Sequence, residues 1–185
     1  WADSPSPEPP YLTWETAAHA IQDAASICVD GDLVWVTNGV YDSGSFVNAG
    51  WQDTATNRVG IINAVEVRSV NGPEVTTIVG GPGMRCVYLA NGATLAGFTL
   101  TNGMATTGGG IYATSRWVAV VSNCIIAGNQ AVYGGGVRSA TLYDCLIRGN
   151  VAQKAGGGVY DSTLHRCQLV GNQAGGSGAS DTCFD

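Results

Sequence analysis

Apolar and polar positions alternate in short segments that recur along the second half of the chain. Four of these align: Phe98 to Asn102, Cys124 to Asn129, Cys145 to Asn150 and Cys167 to Asn172. In the aligned columns Phe98, Cys124, Cys145 and Cys167 share one position, and Leu100, Ile126, Ile147 and Leu169 share the next but one. The column between holds Thr99, Ile125, Leu146 and Gln168, a set that tolerates polarity. Side chains of a strand alternate between its two faces, so this pattern predicts half-buried strands with the two outer columns inward. The starts are 26, 21 and 22 residues apart. That period suits one coil of a β-solenoid, whose coils bury their apolar face only when the next coil stacks on them.

Each of the first three segments is followed by a glycine cluster and an apolar residue: Gly108 to Tyr112, Gly134 to Arg138 and Gly156 to Tyr160. The fourth degenerates to Gly175-Gly-Ser-Gly-Ala179. Repetition at the coil period marks the triplets as turns, and no Lys-Ser/Thr follows them as a phosphate loop requires. Asn129, Asn150 and Asn172 fall on the turn after their strands, where asparagine or glycine can take left-handed backbone angles. Stacked asparagines are also able to hydrogen-bond from coil to coil. Cys124, Cys145 and Cys167 are expected to stack about 4.8 Å apart, as an unpaired ladder of small buried side chains ahead of the alternatives of a disulfide between neighbouring coils or a Cys167–Cys183 bridge.

The first half reads as the start of the same solenoid. Residues 13–28 carry an apolar stripe at Ala17, Ala18, Ile21, Ala24 and Ala25, which predicts a short amphipathic helix with Thr13 as its cap. Such a helix would seal the open end of the solenoid core. The Pro-rich residues 1–12 suit an extended arm, since proline neither donates to a ladder nor continues a helix. Residues 29–180 are assigned to the solenoid and 181–185 to a tail.

The stretch from Trp14 through Tyr41, a helix followed by GDLVWVTNGVY, and then Ser69 to Ile78 (SVNGPEVTTI), resembles the opening of right-handed parallel β-helix proteins of the pectate-lyase-like superfamily. The glycine triplets and C-x-[LI]-x-G-N strands resemble the coils of large repetitive bacterial surface or secreted proteins of that group. The resemblance implies an all-β, right-handed parallel β-helix of about six or seven coils on the extracellular side or at the cell surface. It names no activity, because lyases, hydrolases, adhesins and structural modules share the scaffold.

Composition narrows the function. Charged residues are 12% and glycines number 27 of 185, about twice the usual 7%. The net charge of −6 argues against nucleic acid as a partner, since phosphate binding needs a basic face. No apolar run approaches the roughly 20 residues of a membrane span. The six cysteines contain no C-x-x-C pair, which disfavours a zinc ribbon. The chain opens at Trp1 without an initiator Met, as a processed product or a fragment would.

Catalytic chemistry finds little to stand on. Cleavage of polysaccharides needs clustered carboxylates, and residues 81–180 hold only Asp144 and Asp161, at different places on the circumference. Asp30 and Asp32 flank Gly31 as a turn would, and His19 suits a surface pair with Asp23 on the cap helix. A Cys–His nucleophile would need Cys167 to face solvent beside His165, but the Cys167 column points inward. No catalytic residue, metal ligand or cofactor site is therefore assigned. Tyr112, Tyr133, Tyr143, Tyr160 and Trp117 are candidates for a sugar-stacking face.

Assembly is the leading functional expectation. Residues 1–80 hold ten acids and two bases, whereas residues 81–180 hold two acids and six bases, so charge is polarised along the chain. The last coil shows no helix or charged strand to cap it, and an open strand edge offers unpaired backbone groups. Head-to-tail self-association into a fibre or surface layer follows as the expectation. Its contacts would be Trp1, Pro5, Pro7, Pro9, Pro10 and Tyr11 of the arm, with Leu169 and Phe184 at the other end. The alternatives are a carbohydrate-binding or polysaccharide-cleaving β-helix, with polysaccharide as partner, and a passenger fragment of a larger adhesin.

Overall fold

A computed structural model describes residues 1–47, 55–90, 92–115, 118–176 and 183–184. The chain is an all-β parallel solenoid built of four walls. Wall A stacks Leu33–Val36, Glu66–Ser69, Thr94–Ala96, Val120–Ser122, Thr141–Tyr143, Ser162–His165 and Cys183–Phe184. Wall B stacks Gly39–Tyr41, Thr76–Val79, Thr99–Thr101, Ile125–Ala127, Leu146–Arg148 and Gln168–Val170. Wall C stacks Phe46–Val47, Thr56–Ile61, Met84–Leu89, Ile111–Ala113, Val137–Arg138 and Val159–Tyr160. Wall D stacks Met104–Thr107, Gln130–Tyr133, Val151–Ala155 and Gln173–Ala174.

The repeat columns become stacked rungs in register. Thr99, Ile125, Leu146 and Gln168 are mutual neighbours on wall B, and so are Leu100, Ile126, Ile147 and Leu169. The second column is inward: Leu100, Ile126 and Ile147 are fully buried, and Leu169 packs half-buried at the end of the core. Inward columns of walls A and C (Leu95, Val121, Leu142; Val87, Ile111, Val137) close the core from the other sides. Each such side chain contributes about 1.5–3 kcal/mol by leaving water. Wall D is narrower, with Ala131 and Ala152 inward.

The solenoid has about four complete turns, not six or seven. Walls A and B begin early, but among the described residues wall D has four strands, starting at Met104. Before it, the chain spends its length on Phe46–Val47, which pairs antiparallel with Thr56–Ile61.

The cap is also smaller than its apolar stripe implies. Helix α1 covers Ile21–Ala25 alone, rather than residues 13–28. Thr13 and Thr16 close a separate turn, the backbone N–H of each donating to the other's hydroxyl oxygen. The carbonyls a longer helix needs are then occupied by the arm. Ser6 N–H donates to Glu15 O, Glu8 N–H to Thr16 O, the Ser4 hydroxyl to Ala17 O and Trp1 N to Ala18 O. His19 precedes the helix and its ring bonds Ser4 O at 2.8 Å, so it does not pair with Asp23 along a helix face. The part of the helix that survives still covers the core, burying Ile21 and Ala25 and seating the Gln22 amide on the Gly60 N–H. Among the described residues no helix is long and apolar enough to cross a membrane.

Candidate functional site

Two internal ladders fix the coils. Asn129 and Asn150 are completely buried, and Asn172 is half-buried. The Asn129 amide donates to Leu100 O and to Asn150 Oδ1, both at 3.0 Å; Asn150 repeats this with Ile126 O and Asn172 Oδ1. The left-handed backbone angle does not fall on these asparagines. It falls one residue earlier, on Gly128, Gly149 and Gly171, which turn the chain so that the next side chain enters the core. In the earlier coil Asn102 takes the left-handed position, and Gly103 stands in the asparagine's place, donating its N–H to Asn129 Oδ1.

The cysteine ladder lies on the opposite side of wall B. Cys124 and Cys145 are buried and Cys167 is half-buried; none is in a disulfide. Each thiol donates to the carbonyl two residues before it, as Cys145 does to Tyr143 O at 3.2 Å. Hydrogen bonds among neighbouring thiols, with burial, push Cys145 and Cys167 up from the ordinary thiol range. Cys86, in wall C, is pushed by burial up to about 12. Burial raises the Cys124 thiol, but hydrogen bonds from Cys145 and the Phe98 N–H outweigh it and leave that thiol below its ordinary value.

The carboxylates are dispersed. Asp144, at the corner between walls A and B, forms a bidentate pair with Arg166 at 2.7 Å, which holds its carboxyl below the usual range. Asp161, between walls C and A, accepts the Ser139 hydroxyl. Asp32 accepts Val29 N–H and Asp30 accepts Ala64 N–H, both ordering the first turn. Among the described residues no group of three or more His, Cys, Asp or Glu is placed to hold a metal ion.

Aromatic residues gather on the outer face of wall C. The register puts Tyr88, Tyr112, Arg138 and Tyr160 in one outward column. Phe46 lies over Gly60 at one end, with its ring centre 5.9 Å from Tyr88, and Tyr88 is 6.0 Å from Tyr112. The Arg138 guanidinium sits 5.8 Å from the Tyr112 ring and 5.6 Å from Tyr160. Tyr133, from wall D, continues the row 5.5 Å from Tyr160, and the Lys154 ammonium covers it at 5.4 Å. Of the other sequence candidates, Tyr143 stands on wall A, stacked against His165 at 4.6 Å, and Trp117 lies outside the described residues. The signal for this row was in the repeat itself, because Tyr112, Arg138 and Tyr160 occupy equivalent positions after the glycine triplets.

The helix-capped end carries an apolar groove of about 610 Å³. Its walls include Trp1, Pro10, Tyr11, Leu12, Trp14, Ile27, Leu33 and Trp35. Leu12 is 84% exposed, Trp35 49%, Leu33 45% and Trp14 45%, a density of bare apolar side chains that a soluble surface rarely carries without a use. Leu33–Val36 and Gly39–Tyr41 are the edge strands of walls A and B at this end. Pro5, Pro7 and Pro9 are exposed beside it, outside the groove lining. At the far ends of the same two walls lie Gln168–Val170, with Leu169, and Cys183–Phe184, whose backbone pairs with Ser162–Thr163. Residues 183–184 are thus a strand of wall A and not a free tail. Comparison with protein-family models, with curated proteins and with solved structures found no significant match.

Proposed function

We propose that the protein is a non-enzymatic extracellular structural module that associates end to end, one solenoid docking its helix-capped end on the far end of another. The observation that carries this reading is the apolar groove beside the edge strand Leu33–Val36. An edge strand offers unpaired backbone groups, and exposed Leu33 and Trp35 add apolar area next to them. The far edges of the same two walls supply the complementary strands. Charge favours the same direction of contact, because residues 1–80 carry a net −8 and residues 81–180 a net +4. A contact between two different surfaces of one chain propagates as a filament unless its rotation closes a ring. The resemblance to repetitive surface β-helix proteins suits such a role.

Negative-stain electron microscopy with sedimentation velocity tests it. Fibres or concentration-dependent oligomers are expected at low salt, weakening at high salt. Trp35→Asp should abolish them while leaving the melting temperature within a few degrees. Monodisperse particles at every concentration and salt would overturn the reading.

A further inference from the structure

We propose that the outer face of wall C, with the adjoining Tyr133 and Lys154 of wall D, is a binding strip for an acidic glycan, a use independent of assembly through the ends. The strip's accessible part runs Arg138, Tyr160, Tyr133, Lys154, with successive separations of 5.6, 5.5 and 5.4 Å: cation, ring, ring, cation. Tyr112 extends it on the other side of Arg138. The tyrosines are half-buried and Lys154 is exposed, so each ring is held by its neighbours while keeping area open to solvent.

The pattern selects a ligand chemistry. A sugar ring presents a flat face of C–H groups, which packs on an aromatic ring, and flanking guanidinium and ammonium groups meet negative substituents along the same chain. The Arg138 Nε is sealed from solvent with no hydrogen-bond partner, so an anion would be met by the rest of the half-buried guanidinium and not by Nε. Among the described residues no ion pair involves Arg138 or Lys154. The outward column of wall C contains no carboxylate, so a bound anion meets no like charge in it. Nucleic acid fits less well. Adjacent rings are tilted 51° and stand 5.5 Å apart, closer than the roughly 7 Å needed to admit a base between them at the 3.4 Å stacking rise.

Dextran sulfate and dextran share a backbone and differ in charge, which makes them the probes. Titration calorimetry with the full chain should show dextran sulfate binding and dextran binding at least tenfold more weakly. Tyr160→Ala and Arg138→Gln should each weaken dextran sulfate at least tenfold. Lys154→Gln, on an exposed side chain, should weaken it severalfold with the melting curve unchanged, so the test survives any misfolding of the other variants. Arg148→Gln, on the outside of wall B, should leave binding intact. No binding of dextran sulfate, equal binding of dextran, or loss of affinity in Arg148→Gln equal to that in Lys154→Gln would overturn the proposal. So would oligo-dT binding as tightly and depending on the same residues. Since none of these residues lies at the end groove, failure here leaves the assembly reading standing, and the reverse holds.

Discussion

The asparagine ladder does at one position what a whole hydrogen-bonded turn does elsewhere. Asn150 gives its amide to Ile126 O and Asn172 Oδ1, and its Oδ1 accepts from both the backbone and the side chain of Asn129. Asn129 and Asn150 are sealed from water, so each partner left behind there by a truncation pays for its own desolvation. Asn150→Ala is expected to destabilise the fold by about 3 kcal/mol, the sum of two or so unmet groups, in a urea titration. Asn172→Ala, at a half-buried position that ends the ladder, should cost less than half as much. Equal losses at the two sites would mean that the ladder contributes only side-chain packing.

Among elements, the glycine triplets show why the repeat tolerates so little change there. A Cβ on Gly135 would meet Gly157 O and Val151 O at 2.5 Å, both of them backbone atoms of the next coil. Gly149 sits at φ +59 with open space around its missing side chain. Gly149→Ala should therefore cost only the left-handed strain, about 1–2 kcal/mol. Gly135→Ala must push coils apart and should cost about 3 kcal/mol or more, measured by the same urea midpoints. The sequence made the strands legible because a period-2 pattern repeated four times leaves one register that buries every apolar column. It hid the helix boundary, because the competitors for the carbonyls of residues 15–18 come from the arm, which carries no periodic signal. It located the left-handed turn but left open which residue takes the angle, since glycine and asparagine at adjacent positions both suit it. The aromatic strip was half-legible: Tyr112 and Tyr160 recur at the coil period, whereas Phe46 comes from a hairpin outside the repeat and Tyr133 arrives through a register shift in wall D.

On the scale of the molecule, the solenoid is a stack in which each coil touches only its neighbours, so its stability is close to a sum of coil and interface contributions. The two ends are unequal. The early end has α1 over the core, the arm bonded across residues 15–18 and buried Arg85 held by Thr107 O, Gly108 O and Asn57. The late end has Gln168–Val170, where Leu169 is only half-buried and Cys167 is likewise half-exposed. A one-dimensional stack opens from its weaker end at less than the global free energy, and amide exchange reads that opening. Hydrogen exchange of the 185-residue chain should rank the wall B strands by position, with Ile125–Ala127 slowest, Leu146–Arg148 intermediate and Gln168–Val170 fastest by at least a hundredfold. Docking of a second chain on the late end would pair that edge and bury Leu169. The gradient should then flatten in assembled material while the protection of Ile125–Ala127 stays the same. A gradient unchanged by assembly would place the contact somewhere other than the far edges of walls A and B, and identical protection along the whole wall would make the solenoid a single cooperative unit.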